Sequence, residues 1–569
     1  MSLVPTLHHE LASPTNSSSS RSSNRQDAIT SEIPRVPSIT VSTPQVEANI
    51  DNVEAGSPPA ERRVFDIAPL NVMGKSRKLT ITALIIGSNL VQMISNFTTI
   101  GGGLALARQL GVSDPSKANW IAASYPLTQG TFVLISGRLG SIYSHKTMLL
   151  LGGAWFTIWS LVTSFCRSYL LFNIARGFTG IGGAFILPNA VAMLAITTPP
   201  GRMRNLSLGF FSASAPVGGW AGALLAGVFL RLNDGARAMF WCLAGLGVVV
   251  FGLLAWLLPK EKPVDPNGKI DYVGGALGTS ALILFNFVWN QAPAVGWATP
   301  YEIGLLITSI ALIGCFVVWE KKFAKEPIMP LDIFQTRSFS TLVLVTLLSY
   351  MSVGTSLWYM VEWQQNLRGW SVLHFAVGWI PFGICAVLAG FVAAWLIPRL
   401  GARWIVALGA GSILLANLLL ATMPVQQNYW PQMFPATVLS AFCPDLVYTA
   451  AQIIASNSVR RHQQGIAGSL IGTLNLYGNS LGLGFAGTVE VETSKHGQHI
   501  ATGYRSALWF GVGIAAVSLV LDIAFVRTPR DDREGWADDR DRDTVDDGVA
   551  MVSGSTTELE LRRVTSRNS

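Results

Sequence analysis

Between Leu79 and Val526 the chain alternates long apolar runs with short polar breaks. Fourteen runs stand out, with approximate limits 79–100, 119–136, 148–166, 170–195, 206–230, 238–258, 272–291, 302–319, 339–361, 374–397, 403–423, 431–456, 465–487 and 506–526. A helix needs about 20 mainly apolar residues to cross the hydrocarbon of a bilayer. A transmembrane β-barrel would instead show strands of about 10 residues with alternating polarity. These runs are longer and apolar all round, so the pattern predicts an all-α integral membrane protein with fourteen transmembrane helices.

Charge sharpens this reading. Only 13% of the 569 residues are charged, about half the share of a soluble domain. Sixteen of the charges fall in residues 1–78 and 19 in residues 527–569, leaving 38 for the 448 residues between. A soluble enzyme and a nucleic-acid reader are thereby excluded, and the lipid bilayer is the expected surroundings. Both ends are polar (the first is rich in Ser and Pro) and are expected to be disordered tails; no cleavable signal peptide is visible. The five cysteines lie in or beside apolar runs without a CxxC pair, so neither a disulfide framework nor a metal site is indicated. Lys and Arg in the short loops favour the side of the N-terminus by 15 to 8, which predicts that both tails are cytoplasmic.

The loop after the second run reads Gly137-Arg138-Leu139-Gly140-Ser141, and that after the tenth reads Pro398-Arg399-Leu400-Gly401-Ala402. The repeated Arg-Leu-Gly at matching positions suggests two six-helix halves with two inserted linker helices, a parallel repeat of the kind found in transporters. The expected division is a cytoplasmic tail (1–78), a first half (79–258), the inserted helices and their loops (259–338), a second half (339–526) and a second cytoplasmic tail (527–569).

At this point the chain resembles the major facilitator superfamily, in particular its fourteen-helix drug:proton antiporter branch. The Gly137 loop, with His145 and Lys146 as its basic pair, is similar to the superfamily's Gly-x-Leu-x-Asp-x-x-Gly-Arg-Lys motif. The fourth run, with Arg176, Gly180, Gly182 and Gly183, resembles the intramembrane arginine motif, and the fifth, with Pro216, Gly218 and Gly219, the antiporter motif. Trp120 to Tyr125, Pro199 to Arg202 and Ser456 to Val459 bring it near a fungal group of aminotriazole-resistance proteins, boron exporters and a low-affinity ammonium facilitator. The chain departs from the pattern at the acidic position (Ser141), at the second glycine of the loop (Ser144), at Ala215 before the antiporter proline, and in the first run, which offers Ser95, Asn96 and Thr98 but no aspartate. The resemblance implies a transporter that works by alternating access, with Gly137, Arg138, Lys146, Pro216, Gly218 and Gly219 as gating elements and Arg176 as a coupling residue.

Several buried-run residues are candidates in their own right. An arginine inside a span is costly and must face a polar partner, so Arg176 is either a coupling group or a hydrogen-bond brace between the fourth and first runs. Asp445, after Pro444 in the twelfth run, is the preferred proton site unless the proline breaks the helix and leaves it as a local cap. Asp522 is expected to form an interfacial ion pair near Arg527, and His374 to sit at the interface near Glu362 and Arg368 of the preceding external loop. Gln92, Asn96, Gln129, Asn286, Gln452, Asn475 and Asn479 are the cavity candidates, accompanied in the runs by Asn290, Gln364 and aromatics such as Trp120, Tyr125, Trp358 and Tyr477; at most half of all these should touch substrate.

The chain lacks a Walker segment, an HExxH pair, a histidine box and a nucleophile elbow, so neither ATP hydrolysis nor a membrane enzyme is expected, and no cofactor or metal. A transporter-like sensor is disfavoured by the short tails. The leading expectation is proton-coupled efflux of a small solute; the alternative is a facilitator of a small inorganic solute such as ammonium or borate, coupled or not. The partners expected are the solute, protons and lipid, in a monomer of the plasma membrane or, alternatively, of the vacuole.

Overall fold

The computed structural model describes residues 74–112, 115–198, 202–329, 331–335, 337–458, 464–494 and 498–527. Residues 1–73 and 528–569 of the expected disordered tails fall outside them, as do Arg460, Arg461 and His496, whereas Lys75 to Lys78, expected in the first tail, form the start of a helix. Each of the fourteen apolar runs lies on a helix. These are α1 (Lys75–Gly101), α2 (Pro115–Tyr143), α3 (His145–Thr163), α4 (Tyr169–Thr197), α5 (Arg202–Phe229), α6 (Gly235–Leu257) and α7 (Tyr272–Val295). They continue as α8 (Pro300–Lys322), α9 (Arg337–Glu362), α10 (Val372–Gly378 and Ile380–Leu400, broken at Trp379), α11 (Ala402–Ala421), α12 (Met433–Ser458), α13 (Gln464–Thr493) and α14 (Ile500–Phe525). A short helix, Gly103–Gln109, follows α1, and α9 runs on into a π-helical turn, Trp363–Leu367.

Local chemistry sets several helix starts. The Asp271 carboxylate accepts the Gly274 amide at 2.8 Å, and the Ser371 hydroxyl accepts that of His374 at 3.2 Å. Both satisfy amides that have no partner within the first helical turn. Pro300 opens α8, where its missing N–H costs nothing. Pro216 and Pro444 sit inside α5 and α12 without ending either helix. The two Arg-Leu-Gly copies lie at matching helix ends but in different register. After Arg399 the chain turns at Gly401 (φ 76°), whereas after Arg138 the helix continues to Tyr143 and the turn falls on Ser144 (φ 99°).

Eleven helices among the described residues are long and apolar enough to cross a membrane. The other three predicted crossings, α2, α3 and α13, are helical but are not among these eleven; α3 has 19 residues and opens on His145 and Lys146. For α2 and α13 the reason is their position, since they face each other and carry glycine and amide side chains where lipid-facing helices carry Leu and Ile. The opposite extreme is α8, whose buried residues are Glu302, Ser309 and Glu320, while Ile303, Ile307, Ile310 and Val317 are exposed. An apolar exterior over a polar interior is the pattern of a helix solvated by lipid.

Helix pairing repeats along the chain. The contacts α1–α5, α2–α4, α3–α4, α3–α6 and α1–α6 of the first six helices recur as α9–α13, α10–α12, α11–α12, α11–α14 and α9–α14 of the last six. The two sets meet along α2–α13 and α5–α10, and α7 packs on both α2 and α13.

Ser144 yields a stability prediction. A non-glycine residue at this φ carries roughly 1–3 kcal/mol of strain, whereas replacing an N-cap serine by glycine costs only a few tenths. Although the Ser144 hydroxyl accepts from the Thr147 amide (3.4 Å) and donates to Glu261 (3.2 Å), Ser144→Gly is expected to raise the midpoint of thermal unfolding in detergent. A lowered midpoint would show that the two hydrogen bonds outweigh the strain.

Candidate functional site

A small cavity of about 40 Å³ lies where the two sets meet. Its walls are Asn96, Phe97 and Ile100 of α1, Ala122 and Pro126 of α2, Gly354, Leu357 and Trp358 of α9, and Asn479 and Leu483 of α13. The volume is that of one or two waters, at about 30 Å³ each. No charged side chain lines it. The polar groups are the Asn96 and Asn479 amides and the Trp358 indole N–H, and the Asn96 Oδ1, Asn479 Oδ1 and Trp358 Nε1 atoms have no hydrogen-bond partner. Along α2 and α13 the chains close on both sides of it. A Cβ on Gly130 would stand 2.5 Å from the Tyr477 amide nitrogen, one on Gly137 2.8 Å from the Ser469 hydroxyl, and one on Gly487 2.8 Å from the Asn119 amide.

Of the seven amide candidates, Asn96 and Asn479 line this cavity. Asn475 supports Asn479, whose amide donates to the Asn475 carbonyl at 2.9 Å. Gln92 and Gln129 form a relay inside the first set, with Gln129 donating to Gln92 (3.0 Å), Gln92 to Asn89 (2.6 Å) and Asn89 to Ser214 (2.9 Å). Asn286 accepts from Ser480 (2.9 Å) and from Asn290 (2.7 Å), which joins α7 to α13. Gln452 donates to the Gly468 carbonyl (2.9 Å), away from the cavity. Sequence reasoning did not single out Ala122, Pro126 or Gly354, because nothing in a local pattern distinguishes a small residue at a cavity from one in a packed contact.

Arg176 is fully buried. Its guanidinium donates to the Ser95 hydroxyl (2.8 Å), the Ser95 carbonyl (2.8 Å) and the Thr99 hydroxyl (3.2 Å), and lies 4.7 Å over the Tyr125 ring. Among the described residues no carboxylate reaches it. Ser95 and Thr99 of α1 supply the acceptors, tying α4 to α1. Gly218 and Gly219 belong to the α5–α1 contact, and Pro216 is buried within α5. A Cβ on Gly218 would stand 2.8 Å from the Met93 Cβ, and one on Gly219 3.1 Å from the Phe97 ring.

Asp445 lies in an unbroken α12 and is 7% exposed, with Oδ2 lacking a partner. It is therefore not a helix cap. Tyr350 of α9 donates to the adjacent Pro444 carbonyl at 2.8 Å. Two other acids depart from expectation. Asp522 is buried without a hydrogen bond to either oxygen, whereas Arg527 meets Ser338 through its backbone, so the expected pair is not formed. Glu362 is not in an external loop but buried at the end of α9, where it accepts from the Tyr504 hydroxyl (2.6 Å) and the Asn366 amide. His374 stacks on Trp370 at 3.9 Å, while Arg368 donates to the carbonyls of Val425 and Pro424.

At the opposite end of the bundle Arg138 is held by Asp265 (2.9 Å) and Glu326 (2.7 Å), from the loops before α7 and after α8. The Asp265 amide donates to the Ser141 carbonyl (2.9 Å). Lys146 donates from Nζ to the Leu258 carbonyl and from its backbone to Glu261. The acid missing at Ser141 is thus matched by acids from outside the motif, which no local pattern could reveal.

The profile described as Major Facilitator Superfamily matches residues 84–482 and, a second time, residues 340–547. The chain belongs to the major facilitator superfamily. It is 35% identical over 427 residues to an uncharacterized MFS-type transporter of Schizosaccharomyces pombe, covering 74% of this chain and 82% of the relative. It is 32% identical to the low affinity ammonium transporter of Saccharomyces cerevisiae (73% and 82% covered) and 32% identical to the efflux pump terJ of Aspergillus terreus (78% and 85% covered). In fold it is similar to the proton:xylose symporter XylE bound to 6-bromo-6-deoxy-D-glucose, at a TM-score of 0.56, 13% identity, and coverage of 80% of this chain and 97% of that one. The superfamily membership makes the chain a multi-pass membrane transporter rather than an enzyme.

The half-exposed ion pairs of this transporter's Arg138 are worth about 1 kcal/mol each at most. Arg138→Glu is expected to lower the thermal midpoint in detergent by a few degrees, and adding Glu326→Arg to restore most of it. Equal midpoints for the single and double variants would show that the ion pairs contribute nothing.

Proposed function

We propose that this transporter exports a small solute in exchange for protons by alternating access, through fourteen crossings arranged as two six-helix halves with α7 and α8 inserted between them. The single observation that carries this reading is the cavity between α1, α2, α9 and α13, closed on both sides along the α2–α13 contact. The repeated helix pairing supports two halves that move as bodies about that contact. The lining suits an uncharged or weakly polar solute, because an organic ion would lose hydration with no opposite charge to replace it. The efflux-pump relative supports export. Asp445 is the proton site in this reading, since it is a buried carboxyl on a helix of the second half with an oxygen left unpartnered, and Arg176 braces α4 against α1. Both tails face the cytoplasm, and the monomer resides in the plasma membrane.

A second reading, facilitated passage of a small inorganic solute, is favoured by the ammonium-transporter relative and by the small size of the cavity. Reconstituted protein separates the two. Methylammonium, aminotriazole and boric acid serve as solutes, with counterflow at equal pH and flux after a pH jump as the measurements. Proton-driven accumulation by the wild type is expected, and its loss in Asp445→Asn with counterflow within about twofold of wild type. Accumulation that survives in Asp445→Asn moves the proton site elsewhere. A wild type indifferent to the pH gradient favours the facilitator.

A further inference from the structure

A second cavity, of about 200 Å³, lies at the end of the bundle opposite the Arg138 ion pairs. Arg108 of the short helix and Arg231 after α5 line one side. Gln365, Trp370 and Ser371, between α9 and α10, line the other. The first pair belongs to the first six helices and the second group to the last six, so the cavity straddles the contact between them. Nearby, Gly227 packs against the backbone of Leu373, and a Cβ there would stand 2.6 Å from the Leu373 Cα.

The charge in this cavity is one-sided. Among the described residues neither Arg108 nor Arg231 forms an ion pair or a side-chain hydrogen bond. The carboxylate in electrostatic reach of Arg108 is Glu362, which is already engaged by Tyr504 and Asn366. Arg368 is occupied by the carbonyls of Val425 and Pro424. The Ser371 hydroxyl accepts the His374 amide and keeps its proton to donate. Gln365 is fixed by its bond to the Gly101 carbonyl at 2.7 Å. Two arginine side chains thus line a cavity that, among the described residues, offers donors and no acid. Guanidinium forks match planar and tetrahedral oxyanions through paired N–H bonds. The volume equals that of roughly six or seven waters, below the about 300 Å³ at which drug-sized ligand pockets begin.

We propose that this cavity is a binding site for a small oxyanion of the phosphate type, held by Arg108 and Arg231 from one set of helices and Ser371 from the other. An anion bound there joins the two sets across their contact and favours the conformation in which this end is closed. It is distinct from the cavity between α1, α2, α9 and α13, and its occupancy does not depend on proton coupling. The same chemistry is offered by free inorganic phosphate and by the headgroup of an anionic phospholipid.

Purified full-length protein in detergent distinguishes these sources. Phosphate strengthens apolar burial in any protein, so Arg108→Gln/Arg231→Gln is the reference at matched ionic strength. The expected result is a saturable rise in thermal midpoint of about 2 °C with millimolar phosphate in the wild type, absent from the double variant. A phospholipid occupant would give no phosphate response, but phosphatidylglycerol added to the micelles would stabilise the wild type and not the variant. Either result supports the site and names its source. Identical responses of wild type and variant to both additives would overturn it. If the Gln/Gln protein does not fold, Arg108→Lys/Arg231→Lys keeps both charges and loses the paired donors. A severalfold weaker response of that variant supports the site, and an unchanged response overturns it.

Discussion

The contact between α2 and α13 organises the molecule. Glycines at 130, 137 and 487 bring main chain or small polar groups to distances a Cβ would forbid, and close approach of this kind is how helices associate without a hydrophobic driving force in lipid. Few hydrogen bonds cross between the two sets. Ser480 donates to the Ala123 carbonyl at 3.2 Å, Trp220 to the Ala376 carbonyl at 3.2 Å, and Gln365 to the Gly101 carbonyl. An interface that rests on many small dispersion contacts and few directed bonds is one that separates without leaving many buried polar groups orphaned. That property is what the proposed rocking of two halves requires.

Within each set the bonding is different. Arg176 fastens α4 to α1 through three hydrogen bonds and lies over the Tyr125 ring of α2, and the Gln129–Gln92–Asn89–Ser214 relay links α2, α1 and α5. In the last six helices Asn417 of α11 donates to the Ser352 hydroxyl of α9 at 2.9 Å, and Ser352 donates to the Gly511 carbonyl of α14. These buried bonds form where solvent cannot compete and are costly to break singly. Directed bonds lie inside the sets and shape contacts between them, a division that the proposed rocking of stiff bodies about a compliant seam requires. Helix α7 bridges that seam, bonded to α13 through Asn286 and Asn290 and to α2 through Trp120, which donates to Gln291 at 2.8 Å.

The helices and their approximate limits were legible in the sequence, because lipid imposes one rule on every crossing and that rule is local. Backbone groups must bond within the segment and side chains must be apolar over about 20 residues. Superfamily membership was legible too, since the loop at Gly137 and the glycine patterns of α4 and α5 are short local strings. The amide candidates were only partly resolved. Gln92, Asn96, Asn286 and Asn479 look alike as polar residues in apolar runs, yet Asn96 and Asn479 alone among these four line the central cavity.

What separates them is tertiary. The direction in which an amide points depends on how its helix is rotated against three or four neighbours distant in sequence, and on which partners those neighbours present. The same reason decides that Arg138 meets Asp265 and Glu326, that Glu362 is buried rather than in an outer loop, and that Arg108 and Arg231 share a cavity though 123 positions apart. The sequence by itself determined what lives in the bilayer and which family motifs the chain carries. The tertiary structure decided which polar groups are satisfied by their neighbours and which are left facing a cavity, because a hydrogen bond is made by two residues and a linear pattern describes only one.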